Sequence, residues 1–319
     1  MLILQDAGIP ADGRGSVVTV GTFDGIHRGH QEVLREIVGR AASSGSRSVL
    51  VTFDRHPLEV VRPEAAPEVL TTPDEKKEFL ATTGLDYVVF LTFTPALSRL
   101  GPREFVEQIL VERIGVTELV IGYDHGFGHD RAGGVETLRD VGRERGFVVD
   151  VVPPVTDGGD AVSSTRIRTA VQQGELGVAR AGLGRPYSLL AEVVRGEGRG
   201  AGLGFPTANL DPGAFRKLIP APGIYAVRVT GAGLVGAPGA LHLGPRPTFE
   251  GSPPSMEVYL LDWQGDLYGQ RVRVDFVEKI RGVEWFDSAD ALIAQMHRDV
   301  ARVRVVLASD GVADEALHL

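Results

Sequence analysis

The first half of the chain carries two histidines, His27 and His30, in the string Gly21-Thr22-Phe23-Asp24-Gly25-Ile26-His27-Arg28-Gly29-His30. An apolar, β-branched run precedes the string and a helical pattern follows it, so it reads as a strand-to-helix loop. The first backbone N–H groups of a helix lack partners and carry the positive end of its dipole, which suits a phosphate. Glycine there lets the backbone come close to a ligand. Two imidazoles on one helix start can be aimed at the same phosphoryl oxygens. Such an arrangement fits nucleotidyl transfer, in which an incoming phosphate attacks the α-phosphorus of ATP and charge on the transferring group is stabilised without a protein nucleophile. The plain alternative is a surface helix start with incidental histidines.

The second half offers Gly202-Leu203-Gly204-Phe205-Pro206-Thr207-Ala208-Asn209-Leu210, preceded by Arg195-Gly196-Glu197-Gly198-Arg199-Gly200. A glycine-rich loop can wrap phosphates with backbone amides, although this one has neither P-loop nor Rossmann spacing. Thr207 and Asn209 are neutral oxygen donors that can reach one cation, the ligand type magnesium takes alongside water and substrate phosphates. Turn and backbone hydrogen bonding is their ordinary alternative. Glu257 stands in an otherwise apolar, strand-like segment, where a carboxylate is costly to bury without a partner. Alternation alone puts it on a solvent face.

The elements that must position these groups differ between the halves. Ser16 to Val20, Ser48 to Phe53, Tyr87 to Phe93, Glu118 to Gly122 and Phe147 to Val152 read as strands with helical patterns between them, the sign of a doubly wound α/β domain. Thr72-Pro73-Asp74-Glu75 predicts a helix start with a capping box. After Gly184-Arg185-Pro186 the pattern turns to period two, as in Arg271 to Phe276, which predicts a small antiparallel barrel. A last helix is expected from Asp287 or Ser288, with Leu292, Met296, Val300, Val303 and Leu307 on its packing face.

A chain of 319 residues calls for two domains, and 43% hydrophobic with 24% charged residues is a globular composition. The net charge of -9 disfavours a nucleic-acid-coating role. With no cysteine, disulfides, thiolate metal sites and cysteine nucleophiles are excluded. Neither a signal-peptide pattern at the start nor a later membrane-length apolar run is seen, so a cytoplasmic protein without nucleic-acid or membrane partners is expected.

The string from Gly21 to His30 resembles the HxGH nucleotidyltransferase signature in the extended form of bacterial bifunctional riboflavin kinase/FAD synthetases. Thr52 to Pro57 (TFDRHP), Ile121 to Gly133 and Ser163 to Arg168 (SSTRIR) match that family in order, and GLGFPTANL resembles its riboflavin kinase signature. The resemblance implies a Rossmann-like α/β FMN adenylyltransferase domain over 1–184 and a β-barrel riboflavin kinase domain with a C-terminal helix over 185–319. It implies that ATP phosphates meet His27 and His30, that Gly21, Phe23, Asp24 and Gly29 are ligand-binding residues of the same loop, and that FMN is held by Tyr123, Asp124, Phe127 and Arg131. Ser163, Ser164, Thr165, Arg166 and Arg168 would meet the leaving pyrophosphate. In the kinase domain, Gly200, Gly204, Pro206 and Asn209 would hold the nucleotide, Thr207 and Asn209 its Mg2+, and Glu257 would be the general base. Riboflavin, FMN and FAD would be substrates and products, with ATP as co-substrate.

Three departures or margins accompany this reading. His125 and Gly126 replace an aromatic and an arginine common in the family, and Ala201 replaces a basic residue whose charge Arg199 could supply. Trp263, Arg281, Glu284, Trp285 and Phe286 fall beside the expected flavin site. A kinase with a degenerate adenylyltransferase domain, or a non-catalytic flavin-binding regulator, are the alternative readings, and the oligomeric state is not legible.

Overall fold

The computed structural model describes residues 1–10, 12–123, 134–196, 204–245 and 255–316, with side chains to residue 310. By contacts the chain divides into two compact units, Met1–Ser164 and Thr165–Leu319.

The first unit is built on a six-stranded parallel sheet of β1 (Leu2–Gln5), β2 (Ser16–Val20), β3 (Arg47–Phe53), β4 (Tyr87–Leu91), β5 (Val116–Gly122) and β6 (Val148–Val152), in the order β1-β4-β3-β2-β5-β6. Five of these strands lie where the apolar runs predict them. The edge strand β1, in parallel register with Leu2 opposite Tyr87, is an addition. Helices α1 (Arg28–Ser44), α2 (Leu58–Val61), α3 (Pro73–Leu80), α4 (Pro102–Phe105) and α5 (Val135–Arg145) occupy the crossovers.

Alternate residues of the central strands feed two separate cores. Val18, Val20, Val49 and Val51 pack with Phe105, Leu138 and Val141. Val17, Leu50, Val88 and Val120 pack with Val33, Leu34 and Ile37 of α1 and Leu80 of α3. A sheet covered on both faces in this way is doubly wound. The strand order reverses between β2 and β5, and ligands of such sheets bind outside the C-terminal strand ends at that switch. The His27–His30 loop follows β2, and Tyr123 follows β5.

The predicted capping box is present. Thr72 Oγ1 accepts from Glu75 N at 3.3 Å and Glu75 Oε2 accepts from Thr72 N at 2.8 Å, with Pro73 at the first helical position. A two-strand ribbon, β7 (Thr156–Asp157) and β8 (Asp160–Ala161), leads toward α6 (Ser164–Gln173).

In the second unit α7 (Leu176–Leu183) packs on β9 and β14 of a closed antiparallel barrel. The barrel strands are β9 (Tyr187–Val194), β10 (Ala208–Asp211), β11 (Gly223–Gly231), β12 (Leu234–Gly244), β13 (Ser255–Leu260) and β14 (Arg271–Arg281), in the closed order β10-β13-β12-β11-β14-β9. Closure leaves no free sheet edge. Tyr187, Tyr225 and Phe276 are fully buried, with Tyr225 edge-on to Phe276 at 5.3 Å.

The last helix, α8 (Ala289–Ala316), begins where predicted, and Ser288 Oγ accepts from Ala291 N at 3.2 Å as its cap. It lays Val303, Val306 and Leu307 against Ala226 and Leu261 of the barrel. A bidentate pair from Arg281 to the buried Asp299 fixes the preceding segment to the helix, with Arg281 Nη2–Asp299 Oδ2 at 2.7 Å.

Candidate active sites

The loop after β2 owes its shape to an unusual backbone. Phe23, Gly25 and Ile26 have φ of 46°, 82° and 41°, so two residues with a Cβ occupy the left-handed region. Each costs about 1–2 kcal/mol, so the surroundings must hold them there. Both side chains are buried, Phe23 at 4% and Ile26 at 2% exposure. Asp24 is equally buried, and its carboxylate accepts from Leu70 N at 2.9 Å and Thr71 N at 3.0 Å. Gly25 N in turn donates to Thr71 Oγ1 at 3.0 Å. The Asp24 carboxylate therefore ties the loop to the segment entering α3.

His27 caps α1. Its Nδ1 accepts from His30 N at 3.3 Å, which in the neutral ring leaves the proton on Nε2. The His30 ring stacks on His27 at 3.6 Å and on Phe23 at 4.5 Å. Burial, with His27 and Lys76 nearby, holds the His30 pKa well below the usual histidine range, and its Nδ1 is enclosed with no hydrogen-bond partner. The sequence-predicted pair is thus a stack of imidazoles at a helix N-terminus. A Cβ at Gly29 would lie 3.2 Å from the His27 ring, so glycine gives that ring its room.

The second phosphate motif reaches the same loop at one point. Ser164 Oγ donates to Asp24 O at 3.0 Å, and Ser163 is half-buried beside it in sequence. Thr165, Arg166 and Arg168 lie on α6, in the part of the chain counted with the second unit. Tyr123, at the end of β5, is 44% exposed. Asp124, Phe127, Arg131, His125, Gly126, Arg199, Gly200 and Ala201 lie outside the described residues.

In TFDRHP, His56 Nδ1 accepts from Leu58 N at 3.2 Å and Asp54 Oδ1 from Phe93 N at 3.1 Å, so both side chains shape the turn after β3. Sequence reasoning missed Lys76 of α3, 7% exposed, whose Nζ donates to Thr22 O at 2.7 Å. Its place after a capping box reads as a solvated helix turn, and no local signal marks it as buried.

The barrel site rests on strand register. Glu257 of β13 pairs with Asn209 of β10 on one side and with His242 of β12 on the other. Met256, Val258 and Leu260 are buried, while Ser255, Glu257 and Tyr259 are half-buried, on the face where α8 packs. The Glu257 carboxylate accepts from Thr207 Oγ1 at 2.9 Å and from Ser255 Oγ at 2.9 Å, and Ser255 Oγ stands 3.5 Å from His242 Nδ1. The carboxylate is therefore half-exposed and hydrogen-bonded to hydroxyls.

Thr207 and Asn209, the two sequence-predicted cation ligands, meet Glu257 across one strand pair. A hydroxyl that donates its proton to a carboxylate still has lone pairs for a cation, so Thr207 can do both. Hard, neutral oxygens beside a carboxylate suit magnesium. Gly204 has φ 85°, Pro206 is exposed, and Phe205, 5% exposed, anchors the loop between Tyr259 at 5.3 Å and His297 at 5.0 Å. Gly196 passes so close to Asn209 that a Cβ there would fall 2.0 Å from its amide nitrogen. That requirement was hidden in a run of glycines. Trp263 is half-buried over Gly265, and Trp285 is 61% exposed.

Comparison with known proteins divides the chain in the same order. The FAD synthetase family model matches residues 9–166 and the riboflavin kinase family model residues 183–307. A bifunctional riboflavin kinase/FMN adenylyltransferase of Escherichia coli (strain K12) is 37% identical, with 91% of this chain and 92% of that one covered. One from Pseudomonas fluorescens is 38% identical over 92% and 94%. A Streptococcus pneumoniae crystal structure titled a macrolide-efflux protein matches at TM-score 0.84 and 31% identity, over 95% of this chain and 99% of that one. Among the described residues here, no helix is long and apolar enough to cross a membrane.

Proposed function

Since the chain belongs to the family of bifunctional riboflavin kinase/FMN adenylyltransferases, we propose that it makes FAD from riboflavin in two steps at the two sites described. In the first, the riboflavin 5′-hydroxyl attacks the γ-phosphorus of ATP, giving FMN and ADP. In the second, a phosphate oxygen of FMN attacks the α-phosphorus of another ATP, giving FAD and pyrophosphate.

For the kinase step the general base is Glu257. Its carboxylate accepts from the hydroxyls of Thr207 and Ser255, and it can accept the riboflavin hydroxyl proton as the oxygen attacks. Thr207 Oγ1 and the Asn209 amide oxygen would hold Mg2+, with the remaining ligands from water and ATP. Bound there, the ion would neutralise charge on the β- and γ-phosphates. Gly200, Gly204 and Pro206 are assigned to the nucleotide.

For the adenylyl step, His27 and His30 are the donors to the transferring phosphoryl group, joined by the backbone N–H groups that open α1. Gly21, Phe23, Asp24 and Gly29 shape that loop. Ser163, Ser164, Thr165 and Arg168 are assigned to pyrophosphate, and Tyr123, Asp124, Phe127 and Arg131 to FMN. On this reading the functional boundary falls at 184/185, which keeps α6 and α7 with the adenylyltransferase motif although contacts group them with the barrel. The absence of cysteine supports a cytoplasmic setting for both steps.

The observation that carries the proposal is the meeting of Asn209 of β10, and Thr207 just before it, with Glu257 of β13. Incubation with riboflavin, ATP and magnesium, followed by chromatographic separation of the flavins, tests it. FMN should appear first and FAD after it. Failure to form FMN would refute the kinase reading, and failure to convert supplied FMN would refute the adenylyltransferase reading.

A further inference from the structure

Lys76 is a long cation held at 7% exposure within the first site's supporting shell, an arrangement that is costly unless it does something there. Its Nζ donates to Thr22 O at 2.7 Å and lies 3.5 Å from Phe53 O. The same Thr22 carbonyl accepts from Thr52 Oγ1 at 3.2 Å. That peptide leads directly into Phe23, where the backbone enters the left-handed region that shapes the phosphate loop. We propose that Lys76 is a positioning residue for adenylyl transfer, holding the Thr22 carbonyl of the loop and setting a positive charge beside the stacked His27–His30 pair.

The proposal rests on the reading of this loop as the adenylyl-transfer site. Its electrostatic half follows from what surrounds the ammonium. Asp24 of the loop and Asp54 beyond β3 oppose it in charge, and each carboxylate is also hydrogen-bonded to backbone amides. On α3 itself, Glu75 is engaged in the capping box, and Asp74 and Lys77 form an exposed pair at 3.7 Å. His30 of the first turn of α1 is near enough to feel its charge. Burial brings the Lys76 pKa down to about 8, so the side chain is predominantly charged at neutral pH.

Burial first, then His27 and then this charge disfavour protonation of His30. Two imidazolium rings 3.6 Å apart would repel, whereas two neutral rings can stay stacked and offer N–H donors to a phosphoryl group. The lysine thus supplies a positive charge from a fixed position, and the histidines supply hydrogen bonds.

Three variants separate these roles. Lys76→Met removes bond and charge, Lys76→Gln keeps a donor without charge, and Lys76→Arg keeps both. Each is measured for FMN-to-FAD kcat and KM, for riboflavin kinase rate, and for His30 titration by NMR in the free protein. Lys76→Met should lower the adenylation kcat by roughly 10²-fold, the scale of one preorganised electrostatic contact, with a smaller change in KM and an unchanged kinase rate. His30 should titrate at a higher pH in both the Met and the Gln variants, since a nearby cation has been removed. Lys76→Arg should restore the titration and most of the rate.

A folded Lys76→Met protein in which His30 titrates as in the parent and FAD forms at the parent rate would overturn the proposal. If the parent itself converts no FMN, the reading of the site fails instead. The His30 titration then still decides whether Lys76 governs the pair.

Discussion

Asp24 lies within the first signature string and Glu257 stands on the strand paired with the second, and the two domains use these carboxylates in opposite ways. Asp24, 4% exposed, accepts from backbone amides of Leu70 and Thr71. Those donors cannot move without undoing the loop, so the charge is part of the scaffold. Glu257 is half-buried and accepts from the hydroxyls of Thr207 and Ser255, groups that can turn toward a substrate or a cation. What a carboxylate can do is thus set by the kind of donor around it. The two sites differ in construction too. The first depends on a loop in a costly backbone conformation, pinned by buried groups, and the second on side chains brought opposite one another by antiparallel register.

The sharpest way to break this comparison is to remove one carboxylate at a time. Glu257→Gln should lower riboflavin phosphorylation by about 10²–10⁴-fold, the range of a lost general base, while supplied FMN is still converted to FAD. Asp24→Asn should instead lower the stability of the first domain. A Glu257→Gln protein whose main defect is a lower melting temperature would erase the distinction.

Replacing either His27 or His30 by Ala should lower FAD formation by roughly 10²-fold, with the kinase rate intact. Unchanged adenylation in the double variant would show that the ring stack is structural. Thr207→Val keeps shape and β-branching and removes the hydroxyl. A kinase loss of about 10-fold or more, with a higher magnesium requirement, is expected if the oxygen touches the ion. A lower melting point with normal magnesium dependence would mean that Thr207 only fixes the turn.

A smaller effect should follow from Gly196→Ala, since the new methyl would displace the Asn209 amide. Because the ligand is displaced but its oxygen is kept, the kinase loss should stay below about 10-fold, with adenylation untouched. Smallest of all, Thr72→Ala removes the cap of α3 and should destabilise the first domain by about 1 kcal/mol, read as a shift in its thermal unfolding.

Much of this frame can be read from residue types. Period-two and apolar runs locate β2 to β6, Thr72 and Glu75 announce their capping box, and Ser288 marks the start of α8. β1 was not anticipated, because its short exposed segment becomes a strand through pairing with Tyr87 to Phe90, far along the chain. His27, His30, Thr207, Asn209 and Glu257 can be found from their motifs. Lys76 cannot, since Lys in a polar helix turn looks solvated until the loop it supports is folded over it. The left-handed Phe23 and Ile26 are hidden for a similar reason, as only glycine advertises that conformation. Ser255 and His242 join Glu257 through strand pairing, which no local spacing reveals.

The claim that two independent sites share this chain is tested most directly by complementation. The Glu257→Gln variant and the His27→Ala/His30→Ala variant are each given riboflavin, ATP and magnesium, alone and mixed, and the flavins are separated by chromatography. Alone, the first should leave riboflavin nearly unchanged and the second should accumulate FMN, while the mixture should produce FAD. A mixture of folded variants that makes no more FAD than either alone would contradict the two-site account.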